Sequence, residues 1–88
     1  TKLAKDEEIE MRIVVAGARR DMGNHEAAVI TLQSNDLNVS DQPWAIRLRY
    51  AYADALFACG RLPEAKKWFA KCAQIDVDKS TDAAERCE

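Results

Sequence analysis

The sequence predicts an all-α chain: two antiparallel helical hairpins followed by a short C-terminal helix. Three observations predict it. Apolar residues recur at helical spacing through most of the chain. No period-two alternation with β-branched residues lasts more than a few positions. A pattern of large, small and glycine positions also repeats at a shift of 37 residues.

The first helix is expected over about 6–22. Asp6, Glu7, Glu8 and Glu10 open it and Arg19 and Arg20 close it, which suits the helix dipole at both ends. Gly23 follows as a left-handed stop. Asn24 is the expected cap of a second helix reaching about residue 34, with Ala28, Val29 and Leu32 on its buried face. The Asn-, Asp- and Ser-rich stretch 35–42 is the expected loop. Pro43 fits the first position of a third helix, where its missing N–H costs nothing. Leu48, Tyr52, Ala55, Leu56 and Cys59 form that helix's stripe, and Gly60 stops it. The fourth helix, about 62–75, has the stripe Ala65, Trp68, Phe69, Cys72 and Ile75. Ser80, Thr81 and Asp82 then precede helix formers, so a terminal helix is expected over about 80–88. The organisation is thus a single domain, 1–88, with hairpins over about 6–34 and 43–76.

At a shift of 37, Met11 meets Leu48, Val15 meets Tyr52, Ala16 meets Ala53 and Ala18 meets Ala55. Met22 meets Cys59, Gly23 meets Gly60, Ala28 meets Ala65 and Leu32 meets Phe69. A helical hairpin with one tight turn needs a glycine at the left-handed cap. It also needs small residues where the helices cross, and a large side chain one turn later to fill the wedge.

The second unit resembles the tetratricopeptide repeat. Gly60-Arg61-Leu62-Pro63-Glu64-Ala65 is similar to that family's Gly-x-x-x-Glu-Ala turn, and Ala65 with Phe69 matches its A-x3-F pair. Gly23, Ala28 and Leu32 repeat part of the pattern, with Glu26 one place out of register. Arg12 and Arg49 stand where the family has Trp or Leu, Val77 replaces its terminal Pro, and the unit exceeds the family's length of about 34 residues. The run Arg49–Leu56 also resembles one found in small helical-repeat proteins of bacteria. The resemblance implies a right-handed stack whose first helices line a concave face. That face would present Glu10, Ile13, Gly17 and Arg20 from the first unit and Arg47, Tyr50, Asp54 and Phe57 from the second. The last four sit at i, i+3, i+7 and i+10, on one helix face. Arg, Tyr and Phe there match the enrichment seen at binding hot spots. The expected partner is a protein or peptide segment. Tyr50 and Phe57 would equally serve to pack the chain's own terminal helix or a further repeat. The Lys and Asn of the family's peptide-carboxylate clamp are missing, so chaperone tails are not expected ligands. The alternative function is structural, with a homodimer or a longer helical-repeat protein covering an open face.

Composition limits the other classes. A net charge of −2 provides no basic face for nucleic acid and no polybasic patch for an anionic membrane. No apolar run approaches the roughly 18 residues of a membrane span. No signal peptide is visible, and the chain opens on Thr1 rather than Met, as expected of a processed, tagged or excised polypeptide. Cys59, Cys72 and Cys87 lack C-x-x-C spacing and read as reduced thiols of a cytoplasmic protein. His25 stands alone, without a metal or proton-shuttle partner nearby in sequence. Asp36, Asn38 and Ser40 start like a calcium loop but place Asp41 and Arg47 where Gly and an acid are required. Asp76, Asp78 and Ser80 fail likewise. No nucleophile motif, P-loop or dinucleotide fingerprint is present. No catalytic residue, metal or cofactor is therefore expected, and a binding role is favoured over an enzymatic one.

Overall fold

In a computed structural model that describes residues 4–77 and 81–86, the chain forms five α-helices: α1 (Lys5–Asp21), α2 (His25–Leu32), α3 (Pro43–Ala58), α4 (Leu62–Ile75) and α5 (Ala83–Arg86). No strand occurs among the described residues. α1 pairs with α2 and α3 with α4, each pair joined by a tight turn; α3 packs back on α1 and α2, and α5 packs on α4.

The turn chemistry is local. Gly23 and Gly60 both adopt φ of 80°, the left-handed region where a side chain is strained. Around each, the same bonds close the helix end. Gly23 N–H reaches Arg20 O and Asn24 N–H reaches Arg19 O; Gly60 N–H reaches Phe57 O and Arg61 N–H reaches Leu56 O. These are the paired bonds of a glycine C-cap. Pro43 and Pro63 lie in the first turns of α3 and α4, where no intrahelical N–H is lost.

Two expectations are corrected. Asn24 makes no side-chain cap bond at the start of α2, which begins at His25 and ends at Leu32, short of residue 34. Asn24 instead serves through its backbone in the glycine turn. The stretch 35–42 is also not wholly irregular, because Asn35–Asn38 forms a 3₁₀ turn that buries Leu37. The expected start of the terminal helix near residue 80, its last residues and Cys87 lie outside the described residues. Thr81 sets the approach to α5: its Oγ1 accepts the Ala83 N–H at 3.2 Å, while its own N–H and hydroxyl donate to Asp76 Oδ2.

The core runs between the helices from Ile9, Ala16, Ala28, Val29 and Leu32 to Leu48, Tyr52, Ala53, Leu56, Ala65, Phe69 and Cys72. Ala16, Ala28, Ala53 and Ala65 are all buried, as close helix crossing requires, and Leu32 and Phe69 occupy the buried wedges. Trp68 is partly buried and meets Tyr52 edge-on at 5.3 Å. Cys59 and Cys72 are free thiols. Burial pushes the Cys72 thiol above its usual range.

Arg12 and Arg49, which the repeat places 37 apart, tie the helices to the loops between them. Arg12 Nη1 donates to Ser34 Oγ at 3.0 Å and Asp36 Oδ2 at 3.1 Å. Asp36 is thereby engaged in an ion pair. Arg49 is buried and donates to three carbonyls: Leu37 at 3.1 Å, Val39 at 3.2 Å and Lys71 at 2.8 Å. Ser34 and Lys71 are themselves 37 apart, so the two arginines reach equivalent places in the two units.

Candidate functional site

The first helices of the two pairs lie side by side, and their facing residues meet largely through charge. Arg47 forks onto Glu10, with Nη2 2.8 Å from Oε1. Arg20 Nη1 lies 2.7 Å from Asp54 Oδ2. The second oxygen of Asp54 takes Arg86 Nη2 at 2.8 Å, so one carboxylate links α1, α3 and α5. Such bidentate use of a carboxylate fixes orientation as well as adding energy.

Arg86 is the centre of this arrangement. Its guanidinium carbon lies 4.3 Å from the Phe69 ring centroid, 5.3 Å from that of Phe57 and 5.5 Å from that of Tyr50. Its Nη1 donates to Tyr50 Oη at 2.9 Å, and Tyr50 in turn donates to Asp82 Oδ1 at 2.5 Å. The Tyr50 ring meets Phe69 edge-on at 5.5 Å. The C-terminal turn therefore lies over the aromatic part of the helix face, and Phe57 remains about half exposed beside it.

An open groove lies beside this network. It holds about 430 Å³ and is lined by Ile13, Arg47, Tyr50, Ala51, Thr81 and Asp82. Its floor is apolar, from the half-buried Ile13 and Ala51 and the Tyr50 ring. Its rim carries a base, Arg47, and an acid, Asp82, both exposed. The volume suits one or two side chains of an extended segment. Of the residues singled out from sequence, the fold brings Ile13, Arg47 and Tyr50 to this groove. Arg20 and Asp54 are joined in the ion-pair chain next to it, and Phe57 lies under Arg86. Glu10 is held by Arg47. Sequence reasoning missed Ala51, Thr81 and Asp82. Ala51 sits one position from Tyr50; the reading that Tyr50 and Phe57 pack the terminal helix agrees with the place of Arg86, but it did not extend to Thr81 and Asp82 as a wall of the groove.

The charges shift the titrations of this face. Burial alone would raise the Asp54 carboxyl, but hydrogen bonds and charge from Arg20 and Arg86 outweigh it and hold Asp54 below its ordinary value. Burial, aided by the bond to Asp82, raises the Tyr50 phenol against the opposing influence of Arg86. Because Asp54's folded value is the lower one, the unfolded chain takes up the proton first as pH falls. Its stabilising contribution is complete above the ordinary aspartate range, about pH 4, and is lost as pH falls through the depressed folded value. Asp54→Asn is expected to cost about 1–3 kcal/mol at neutral pH. It should also flatten the acid limb of a denaturant-derived stability profile. A variant whose acid limb coincides with that of the wild type would refute the assignment.

His25 is partly buried and its Nδ1 has no hydrogen-bond partner. Among the described residues no group of three or more His, Cys, Asp or Glu side chains is placed to hold a metal ion. No described helix is long and apolar enough to cross a membrane.

No protein-family model matches this chain, and no curated protein or solved structure matches it significantly.

Proposed function

We propose that this chain is a protein-interaction module of the tetratricopeptide-like kind, and that a partner segment lies in the groove between α1, α3 and the C-terminal turn. The observation that carries this reading is the groove itself: an apolar floor of Ile13, Ala51 and Tyr50 beneath a rim of opposite charges, Arg47 and Asp82. An extended segment would seat a small apolar side chain on that floor and place polar groups against the rim. This is the usual division between apolar anchoring and polar selection. The repeat at a shift of 37, the paired glycine turns and the buried alanines support a right-handed stack of two repeats. On this reading the chain works by binding, in a reducing compartment such as the cytoplasm, where Cys59 and Cys72 stay as thiols.

Two changes test the groove. Ala51→Lys blocks the floor with a side chain that can still reach water, and Arg47→Glu inverts one rim charge. Affinity capture from native lysate with the wild type and the double variant, each checked for helix content, is the measurement. A partner enriched by the wild type and reduced at least about tenfold by the variant is the expected result; a tenfold loss corresponds to about 1.4 kcal/mol. Equal capture by both proteins would remove the groove as the binding site.

A further inference from the structure

The aromatic end of the α3 face is built around a guanidinium. The head of Arg86 lies within 5.5 Å of the ring centroids of Phe69, Phe57 and Tyr50. Its terminal nitrogens diverge: Nη1 donates to Tyr50 Oη at 2.9 Å and Nη2 to Asp54 Oδ1 at 2.8 Å. Arg20 takes Oδ2 of the same carboxylate, so Oδ1 is the oxygen turned to this cage. Ring faces together with acceptors at two separate corners suit a planar, forked cation. An ammonium is a compact charge on a flexible stem and cannot serve both acceptors while lying on the rings.

The occupant of the cage is held reversibly. The described residues of α5, Ala83–Arg86, make a single helical turn, and a helix that short has no stability of its own. Its docking draws on Arg86, on the buried Ala83, on the Asp82 bond to Tyr50 and, at its base, on Thr81 bonded to Asp76. The Arg86 side chain is 26% exposed and Phe57 is 53% exposed, so the cage stays open to water along one side. We propose that Tyr50, Asp54, Phe57 and Phe69 form a binding site for arginine, filled in cis by Arg86, and that an arginine of a partner segment takes the same place when the turn lifts. Of these four residues only Tyr50 lines the groove, so the site does not rest on the reading of the groove. A tethered arginine competes at an effective concentration of about millimolar. A segment from outside therefore displaces it only with contacts beyond its own arginine.

Emptying the cage and refilling it from solution tests this. The probe is a capped peptide copying residues 81–86, beside the same peptide with lysine in place of its arginine. Each is titrated into the whole chain carrying Arg86→Ala, with the backbone amides of Asp54, Phe57 and Phe69 followed by NMR. The arginine peptide is expected to shift these amides and to saturate at about millimolar concentration. The lysine peptide should bind at least about tenfold more weakly. The wild type should bind the arginine peptide at least about tenfold more weakly than Arg86→Ala, because its own arginine holds the place. Phe57→Ala/Arg86→Ala, which removes an exposed ring, should bind about threefold more weakly than Arg86→Ala. Should Arg86→Ala lose helix content, Arg86→Gln replaces it, and loss of helix in both would overturn the proposal by making Arg86 a support of the fold instead of the occupant of a site. A folded variant that shows no saturable shifts at these amides overturns the site. Equal binding of the two peptides overturns its selectivity for arginine. Equal binding by wild type and Arg86→Ala overturns the place of Arg86 as its occupant.

Discussion

Replacing Phe69 by alanine is expected to cost about 3–5 kcal/mol, more than the loss of any other fully buried side chain in the core. A chain of 88 residues has a total stability of roughly 4–13 kcal/mol, so this change alone removes about a quarter or more of it, and all of it at the lower end of that range. Phe69 is 1% exposed and is the largest fully buried side chain. It lies in the core between α3 and α4, one helical turn beyond the buried Ala65. It also reaches the functional face, since Tyr50 rests against it edge-on and Arg86 lies over its ring. The two roles separate by substitution. Phe69→Leu keeps much of the volume and should cost about 1–2 kcal/mol, while removing the ring beneath the guanidinium. A double-mutant cycle of Phe69→Leu with Arg86→Met is expected to show a coupling of about 0.5–1 kcal/mol. Chemical denaturation of the four proteins measures both effects. A Phe69→Ala protein within about 1 kcal/mol of the wild type would mean that this wedge is not packed as described.

The parts of the fold that depend on neighbours in sequence were legible before the structure. The ends of α3 and α4 follow from Pro43, Gly60 and Pro63, each of which restricts the backbone by itself. The buried stripe of α4 follows from helical spacing. The repeat at a shift of 37 likewise located both glycine turns. It could not show that equivalent residues have different surroundings, because Met11 and Leu48 differ in what lies beyond them, not in their own helices. The candidate site divides along the same line. Arg47, Tyr50, Asp54 and Phe57 share a helix face by spacing alone. That Asp54 holds Arg20 and Arg86 together, and that Thr81 and Asp82 wall the groove, depends on a tail brought back by Asp76 bonding to Thr81. Such contacts span 32 or more residues and leave no local pattern.

Arg49 shows most clearly how a residue that reads as a departure from a repeat pattern can be a main support of the fold. In the sequence it is an arginine where a large apolar residue is expected, and charge alone would place it at the surface. In the structure it is 7% exposed, and its fork reaches the Leu37 and Val39 carbonyls of the connection between the hairpins and the Lys71 carbonyl of α4. The connection is too irregular to satisfy those carbonyls through a ladder of its own, and a planar guanidinium can serve three acceptors lying in different directions. Arg49→Ala should therefore cost about 2–4 kcal/mol, through three lost charge-assisted bonds and the space left by the stem. Arg49→Lys should recover less than half of that, because an ammonium on a flexible chain cannot keep the fork geometry. Arg49→Met, which restores the stem without donors, distinguishes packing from hydrogen bonding. If Met restores wild-type stability, the stem alone matters and the carbonyl bonds contribute nothing. If Met remains as unstable as Ala, and the amides of the 3₁₀ turn exchange faster in both, the bonds hold the connection. The second outcome is expected, because the loop that Arg49 secures is also the one that Arg12 reaches through Asp36. Both first helices are then anchored to the same short segment, and the spacing of the groove between them rests on it.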